Sequence, residues 1–171
     1  MREICIGDIH GSSKKLEDLL DMIGNLESRD KLIFLGDYFD RGPDSKRVFE
    51  IISSLGNKHK DRIVFLRGNH DKMLLDFVNG GDSHWLHPGN GGRSTLNEFN
   101  HDLDKVFSWI LNNTLFKTET KHASYVHAGL YVGRDTPEEE MVWMRDELFR
   151  QKQKVLFQVQ AANLSFDRLI R

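Results

Sequence analysis

The chain has 171 residues, of which 39% are hydrophobic and 29% charged, a composition that indicates one globular domain rather than a disordered or fibrous chain. Its formal net charge of -2 gives no overall attraction to nucleic acid. No apolar run is long enough to cross a bilayer and no leader pattern precedes the first apolar run, so we expect a cytoplasmic protein with neither nucleic-acid nor membrane partners. The composition leaves the oligomeric state open.

The first part of the chain alternates short apolar runs with helical patterns, an order that predicts parallel strands joined by helices. Continuous aliphatic runs predict strands covered on both faces at residues 3–6, 32–35 and 63–66. Apolar residues at helical spacing predict helices over residues 12–26 and 44–55, with Gly56 as the stop of the second, and a third helix beginning near Asp71. The single cysteine, Cys5, lies in the first run, which predicts a packed side chain.

The second half of the chain has a different pattern. Residues 80–120 contain glycine pairs and a short helical stretch, 102–111, and they predict a cap-like insertion packed by Trp85 and Trp109 within one domain, 1–171. A short strand is predicted at residues 123–127, and Pro137 opens a predicted helix that extends to Leu148. Residues from about 158 to 171 carry no turn or strand signal and predict an atypical tail.

Polar clusters follow each of the three predicted strands, at the sheet edge where ligand sites of open α/β sheets form. They supply four candidate metal ligands, and a later strand end adds a fifth: Asp8, His10, Asp37, Asn69 and His127. Each of these residues alone is more often a cap, a turn or a strand residue, whereas their joint occurrence predicts a metal centre. Carboxylate, imidazole and amide ligands suit manganese, iron or zinc, and a central Asp37 would bridge two such ions holding a hydroxide.

These clusters also carry a family resemblance. Gly7-Asp8-Ile9-His10-Gly11, the run from Gly36 to Gly42, the run from Arg67 to Asp71, and His127-Ala128-Gly129 resemble, in this order, the signature blocks of the phosphoprotein phosphatase family within the calcineurin-like metallophosphoesterases. Trp85-Leu86, Gly91-Gly92 and Trp143-Met144-Arg145 extend the resemblance over about residues 3–148 and favour the bacterial and phage branch. The resemblance implies an α/β/β/α sandwich, here truncated at its C-terminal end.

The resemblance implies two divalent ions, manganese first and iron or zinc as alternatives. It assigns Asp8 and His10 to the first ion, Asn69 and His127 to the second, and Asp37 to both. The family supplies one further histidine to the second ion, but this chain has no histidine after His127. Either water, another side chain or a partner subunit replaces it in a natural short form, or the chain is altered after about residue 157. We expect a weakened second site.

The resemblance also implies catalytic roles. His70 matches the general acid and Asp40 the carboxylate that orients it, while Arg41 and Arg145 match the guanidinium groups that hold phosphate oxygens. Arg67 could equally be a structural arginine or a phosphate contact.

The predicted function is that of a metal-dependent phosphomonoesterase in which a metal-bridging hydroxide attacks the phosphorus. The expected substrate is phosphoserine or phosphothreonine in a phosphorylated protein, or another small phosphoester. Hydrolysis of dinucleoside polyphosphates such as diadenosine tetraphosphate is an alternative within the family. A non-enzymatic alternative is an inactive or phospho-ligand-binding remnant that lacks the last metal histidine.

Overall fold

A computed structural model of the protein describes residues 1–131 and 133–145. Its main sheet has four parallel strands in the order β1-β2-β3-β4, namely Glu3–Ile6, Lys31–Phe34, Ile63–Leu66 and Thr114–Leu115. The first three fall on the predicted runs, with β2 one residue earlier than expected. The run 32–35 is continuously apolar because both faces of β2 are covered: Leu32 and Phe34 lie in the main core, and Ile33 and Leu35 in a second cluster.

The helices that follow the first three strands are α1 (Ser13–Ile23), α2 (Ser45–Lys58) and α3 (Asn69–Val78). The Asp44 side chain caps α2 by accepting a hydrogen bond from the backbone N–H of Arg47. The predicted stop of α2 at Gly56 is wrong, because the helix continues to Lys58. Gly56 instead lies against the ring of Phe65, where it leaves room for the aromatic side chain.

Residues 80–120 contain a 3₁₀ turn (Ser83–Leu86), α4 (Gly92–Glu98) and α5 (Asp104–Asn113). Much of this segment packs into the main core, since Trp85 is fully buried and the ring of Trp109 meets that of Tyr38 edge-on at 5.6 Å between centroids. Trp85 and Trp109 thus pack with the main core, where they help to cover the helical side of the main sheet, and β4 at the end of the segment pairs with β3. The cap-like character of residues 80–120 stays a prediction.

A second, antiparallel sheet consists of β5 (Lys117–Glu119) and β6 (Ser124–Val126) and covers the other face of the main sheet through Tyr125. The Tyr125 hydroxyl donates a hydrogen bond to Glu3 Oε2 at 2.8 Å, which ties this sheet to β1. The last described helix is α6 (Glu138–Trp143), shorter than predicted. The predicted tail, residues 158–171, lies outside the described residues.

The predicted α/β architecture is confirmed by this arrangement. The predicted packing of Cys5 is wrong, because its side chain is exposed. It lies on β1, at one end of the strand order, and the described part of the second sheet leaves it uncovered. None of the helices in the described ranges has both the length and the apolar character required to cross a membrane.

Candidate metal centre

The carboxyl ends of β1, β2 and β3 bring the predicted polar clusters together. The backbone carbonyl of Asp37 accepts hydrogen bonds from the N–H groups of Ile9 and His10, at 3.0 and 2.9 Å, so the first two loops are fixed side by side. His10 and Asp37 both have positive φ, 45° and 55°. Left-handed backbone is unfavourable for non-glycine residues and clusters at functional sites, where neighbouring contacts hold it in place.

Asp37 is the central residue of the site and is almost completely buried. Its Oδ2 lies 3.6 Å from Nε2 of His10 and 3.6 Å from Nε2 of His127. Its Oδ1 accepts a hydrogen bond from the backbone N–H of His70 at 2.9 Å, which fixes the carboxylate plane. One carboxylate oxygen therefore lies midway between two imidazoles, the position expected of a bridging ligand.

Both of these imidazoles are held through Nδ1. His10 Nδ1 donates to the backbone carbonyl of Phe39 at 2.9 Å, and His127 Nδ1 donates to that of Leu35 at 2.8 Å. A backbone carbonyl can only accept, so each ring keeps Nε2 as its metal-binding atom. Burial lowers the pKa of His10, although the Asp37 carboxylate and the Phe39 carbonyl oppose that shift. Burial thus favours the neutral ring that a metal requires.

The candidate ligand atoms form two groups, within each of which they lie no more than 4.8 Å apart: His10, Asp37 and His70, and Asp8, Asp37 and His127. Asp37 belongs to both, as the bridging role requires. Asp8 is the exposed member, and it groups with His127 rather than with His10. The assignment of Asp8 and His10 to one ion thus stays a prediction.

Asn69 and His127 lie in contact, with Asn69 Oδ1 3.1 Å from His127 Nε2. Both side chains are buried, and they belong to the helix after β3 and the end of β6. The structure therefore brings together the two ligands predicted for the second ion, beside the shared carboxylate.

His70 and Asp40 form a buried pair next to this centre. His70 Nδ1 donates to Asp40 Oδ2 at 2.7 Å, and the two side chains are 2% and 1% exposed. The ring of His70 meets that of His10 edge-on, with 4.7 Å between centroids. The predicted acid thus lies beside the candidate ligands, and its predicted orienting carboxylate contacts it.

The three arginines considered from the sequence occupy different environments. Arg41 is exposed and its Nη1 lies 3.0 Å from His10 Nε2, at the mouth of the site. Arg145 is exposed two residues after the end of α6, and its phosphate-binding role stays a prediction. Arg67 donates from Nε to Thr114 Oγ1 at 2.9 Å and lies over the Phe116 ring, which makes it a structural residue between β3 and β4.

Asp71 was not singled out from the sequence, although it ends the third motif. Its fully buried carboxylate accepts hydrogen bonds from the backbone N–H groups of Asp37 (2.8 Å), Gly68 (2.8 Å) and Tyr38 (3.3 Å). Burial, followed by the charge of Asp37, raises the pKa of Asp71, while the three N–H donors act in the opposite direction. Asp71 thus connects α3 to the turn that presents the bridging carboxylate.

Gly68 shows how closely these elements approach. A Cβ atom on this residue would overlap the Asp37 carboxylate and its backbone nitrogen, so any side chain would displace the bridge. Glycine at this position is a steric requirement of the site.

Comparisons with known proteins agree with this geometry. A family model for the calcineurin-like phosphoesterases matches residues 1–166. The symmetrical bis(5'-nucleosyl)-tetraphosphatase of Aromatoleum aromaticum is 35% identical over 130 residues, covering 75% of this chain and 44% of that protein. Serine/threonine-protein phosphatase 2 of Escherichia coli is 26% identical over 170 residues, covering 92% of this chain and 74% of that protein.

Among solved structures, that of a candidate diadenosine tetraphosphatase matches with a TM-score of 0.61 and 26% identity, covering 82% of this chain and 57% of that one. A yeast protein serine/threonine phosphatase matches at a TM-score of 0.62 and 19% identity, covering 82% of this chain and 48% of that one, and supports the fold alone. The chain spans less than half the length of the tetraphosphatases that it matches.

Proposed function

We propose that this chain, which belongs to the calcineurin-like phosphoesterase family, is a metal-dependent phosphomonoesterase acting on phosphoserine or phosphothreonine in proteins. The observation that carries the proposal is the position of Asp37 Oδ2, 3.6 Å from Nε2 of both His10 and His127. A buried carboxylate between two imidazoles whose other nitrogens are fixed by carbonyls is an arrangement suited to two neighbouring divalent ions.

The donor set fits such ions. Asp8, His10, Asn69 and His127, together with the shared Asp37, offer carboxylate, imidazole and amide atoms, which suit manganese, iron or zinc better than calcium. When bound, the ions would supply Lewis acidity and lower the pKa of a coordinated water. These 171 residues hold no histidine after His127, and we expect loss of that ligand to lower the affinity of the second site in this chain by at least about 10- to 100-fold.

The protein's own residues would handle the leaving group and the phosphate. Asp40 holds His70 through Nδ1, which leaves Nε2 as the nitrogen that can protonate the departing oxygen. Arg41, exposed beside His10, carries guanidinium donors suited to phosphate oxygens.

A groove that shares Trp85 with the surroundings of Asp40 supports a protein substrate. It has a volume of about 290 Å³, and Trp85, which also contacts Asp40, forms part of its wall. Four acidic side chains line it: Asp76, Asp82, Glu139 and Glu140. Lys72 also lines it and offsets one of the four charges, since it pairs with Asp76 and Glu139 at 2.7 and 3.3 Å, and the wall keeps a net negative charge. Such a wall attracts basic side chains and repels a chain of phosphates.

Hydrolysis of dinucleoside tetraphosphates is the second candidate, and the comparisons favour it. Three relatives named bis(5'-nucleosyl)-tetraphosphatase are 33%, 34% and 35% identical to this chain. That identity is higher than the 26% of the Escherichia coli phosphatase, although the phosphatase aligns over more of this chain.

Turnover of a phosphoserine peptide with added Mn²⁺ tests the enzymatic proposal, because its alkoxide leaving group needs a proton. We expect His70→Ala to lower kcat by about 10²- to 10⁴-fold, the usual share of general acid catalysis, while bound metal measured by elemental analysis stays the same. His122→Gln, at an exposed histidine, is the matched control and should keep full activity. Activity that is indifferent to His70→Ala contradicts the proposal, and metal-loaded protein that binds phosphate without turnover favours the phospho-ligand-binding alternative.

The substrate class is tested by comparing kcat/KM for a basic phosphopeptide and for diadenosine tetraphosphate. The double variant Glu139→Gln/Glu140→Gln removes two charges from the groove. It should lower kcat/KM for the phosphopeptide and raise kcat/KM for the tetraphosphate. A wild-type preference for the tetraphosphate, unchanged in this variant, would support the second candidate.

A further inference from the structure

We infer that Trp85 and Thr95 are positioning residues for the proposed general acid, because together they fix the carboxylate that orients His70. The inference rests on the proposed function. It also accounts for two sequence features, Trp85-Leu86 and Gly91-Gly92, that the metal centre does not use. We call Trp85 and Thr95 the Asp40 clamp.

Both oxygens of the Asp40 carboxylate accept hydrogen bonds from buried donors. Oδ2 accepts from His70 Nδ1 at 2.7 Å and from Trp85 Nε1 at 2.8 Å, and Oδ1 accepts from Thr95 Oγ1 at 2.7 Å. Trp85 and Thr95 are fully buried, and Asp40 is 1% exposed. Rotation of the carboxylate would therefore leave buried donors without acceptors, so its plane is fixed.

Thr95 also holds the backbone that carries Asp40. Asp40 has a φ of 73°, and its backbone N–H donates to Thr95 Oγ1 at 3.1 Å and to Ser45 Oγ at 3.2 Å. Because the single hydroxyl hydrogen of Thr95 is given to Asp40, the 3.1 Å contact between the two hydroxyls has Ser45 as its donor. One threonine thus fixes both the main chain and the side chain of Asp40.

The glycine pair allows this arrangement. A Cβ atom on Gly92 would lie 2.5 Å from Trp85 Cδ2, so only glycine lets the start of α4 approach the indole. α4 carries Thr95 one turn later, and Trp85 packs on its other side against Phe77, with 5.2 Å between ring centroids. The segment between Trp85 and Thr95 is therefore built around the Asp40 carboxylate.

This geometry predicts a defect that depends on the leaving group. p-Nitrophenolate departs as a stable anion, whereas an alkoxide such as that of serine needs a proton from His70. Thr95→Val keeps the side-chain size but removes the hydroxyl, which donates to Asp40 Oδ1 and accepts from the Asp40 N–H. We expect it to lower kcat about 10-fold or more for a phosphoserine peptide and less than about 3-fold for p-nitrophenyl phosphate, a part of the usual effect of a general acid.

Three further variants sharpen the test. Thr95→Ser keeps the hydroxyl and should restore activity on the phosphopeptide. Trp85→Phe removes the indole donor together with some of the buried ring volume, and it should reproduce the selective loss. Adding Thr95→Val to His70→Asn should not lower kcat on the phosphopeptide below that of His70→Asn alone, because both changes act through the same proton donor.

A spectroscopic readout avoids turnover altogether. In metal-free protein carrying ¹⁵N-labelled histidine, the Nδ1–H proton of His70 should appear as a protected downfield resonance, and Thr95→Val should broaden or shift it. An unchanged resonance, an equal loss of kcat on both substrates, or additive losses with His70→Asn would overturn the inference. If the wild-type protein hydrolyses neither substrate, the proposed function fails instead, and the resonance alone then decides whether the Asp40 clamp orients His70.

Discussion

We expect removal of the Asp71 carboxylate to lower the free energy of unfolding strongly. Asp71→Ala leaves the buried N–H groups of Asp37, Gly68 and Tyr38 without an acceptor. A buried donor without a partner costs about 1–3 kcal/mol, and the 3.3 Å bond to Tyr38 is weaker than the other two, so we expect a loss of about 3–6 kcal/mol. This is a large part of the roughly 5–15 kcal/mol by which domains are stable.

Asp71→Asn gives a graded comparison. Its amide oxygen can replace Oδ2 and accept from Asp37 and Gly68, but its NH₂ group then faces the N–H of Tyr38. We expect a smaller loss of about 1–2 kcal/mol, the cost of one unsatisfied donor. The difference in unfolding free energy between the two variants tests how many buried N–H groups lose their acceptor.

Urea unfolding followed by tryptophan fluorescence measures these free energies. Asp76→Ala is the matched control on the same helix, because its carboxylate is 49% exposed and pairs only at the surface with Lys72. That surface pair is worth about 0–1 kcal/mol. If Asp71→Ala and Asp76→Ala unfold within about 1 kcal/mol of each other, the assignment of Asp71 as a structural acceptor is refuted.

Two further predictions concern the ties between distant segments. Hydrogen bonds from Arg2 hold the pKa of the buried Asp30 at about 2, below its ordinary value of 3.8, so Asp30 contributes stability above about pH 4 that is lost as pH falls toward 2. Asp30→Asn should therefore lower the melting temperature at pH 7 and converge with wild type in acid, and a constant difference across this range would contradict the assignment. Tyr125→Phe removes the bond to Glu3 and should cost about 1 kcal/mol in urea unfolding, whereas no loss would mean that apolar packing alone holds the second sheet.

Local patterns along the chain were enough to predict the first three strands and the polar clusters that follow them. A strand covered on both faces is apolar at nearly every position, and these strands lie where such runs occur. Because parallel strands end at one edge, the order of motifs also placed Asp37 and His10 together, and the structure brings His127 to the same carboxylate oxygen. The pairing of His70 with Asp40 was given by resemblance, and the 2.7 Å contact agrees with it.

The residues that support that centre could be identified only from the packing of distant segments. Gly56 looked like a helix stop until the ring of Phe65 accounted for its small size, and Cys5 looked buried until the described part of the second sheet proved to leave it uncovered. Trp85 looked like packing for a cap, yet its indole bonds to a carboxylate 45 positions earlier in the chain. A strand or turn signal is contained in neighbouring residues, whereas the partner of a buried donor depends on which distant segment the core brings beside it.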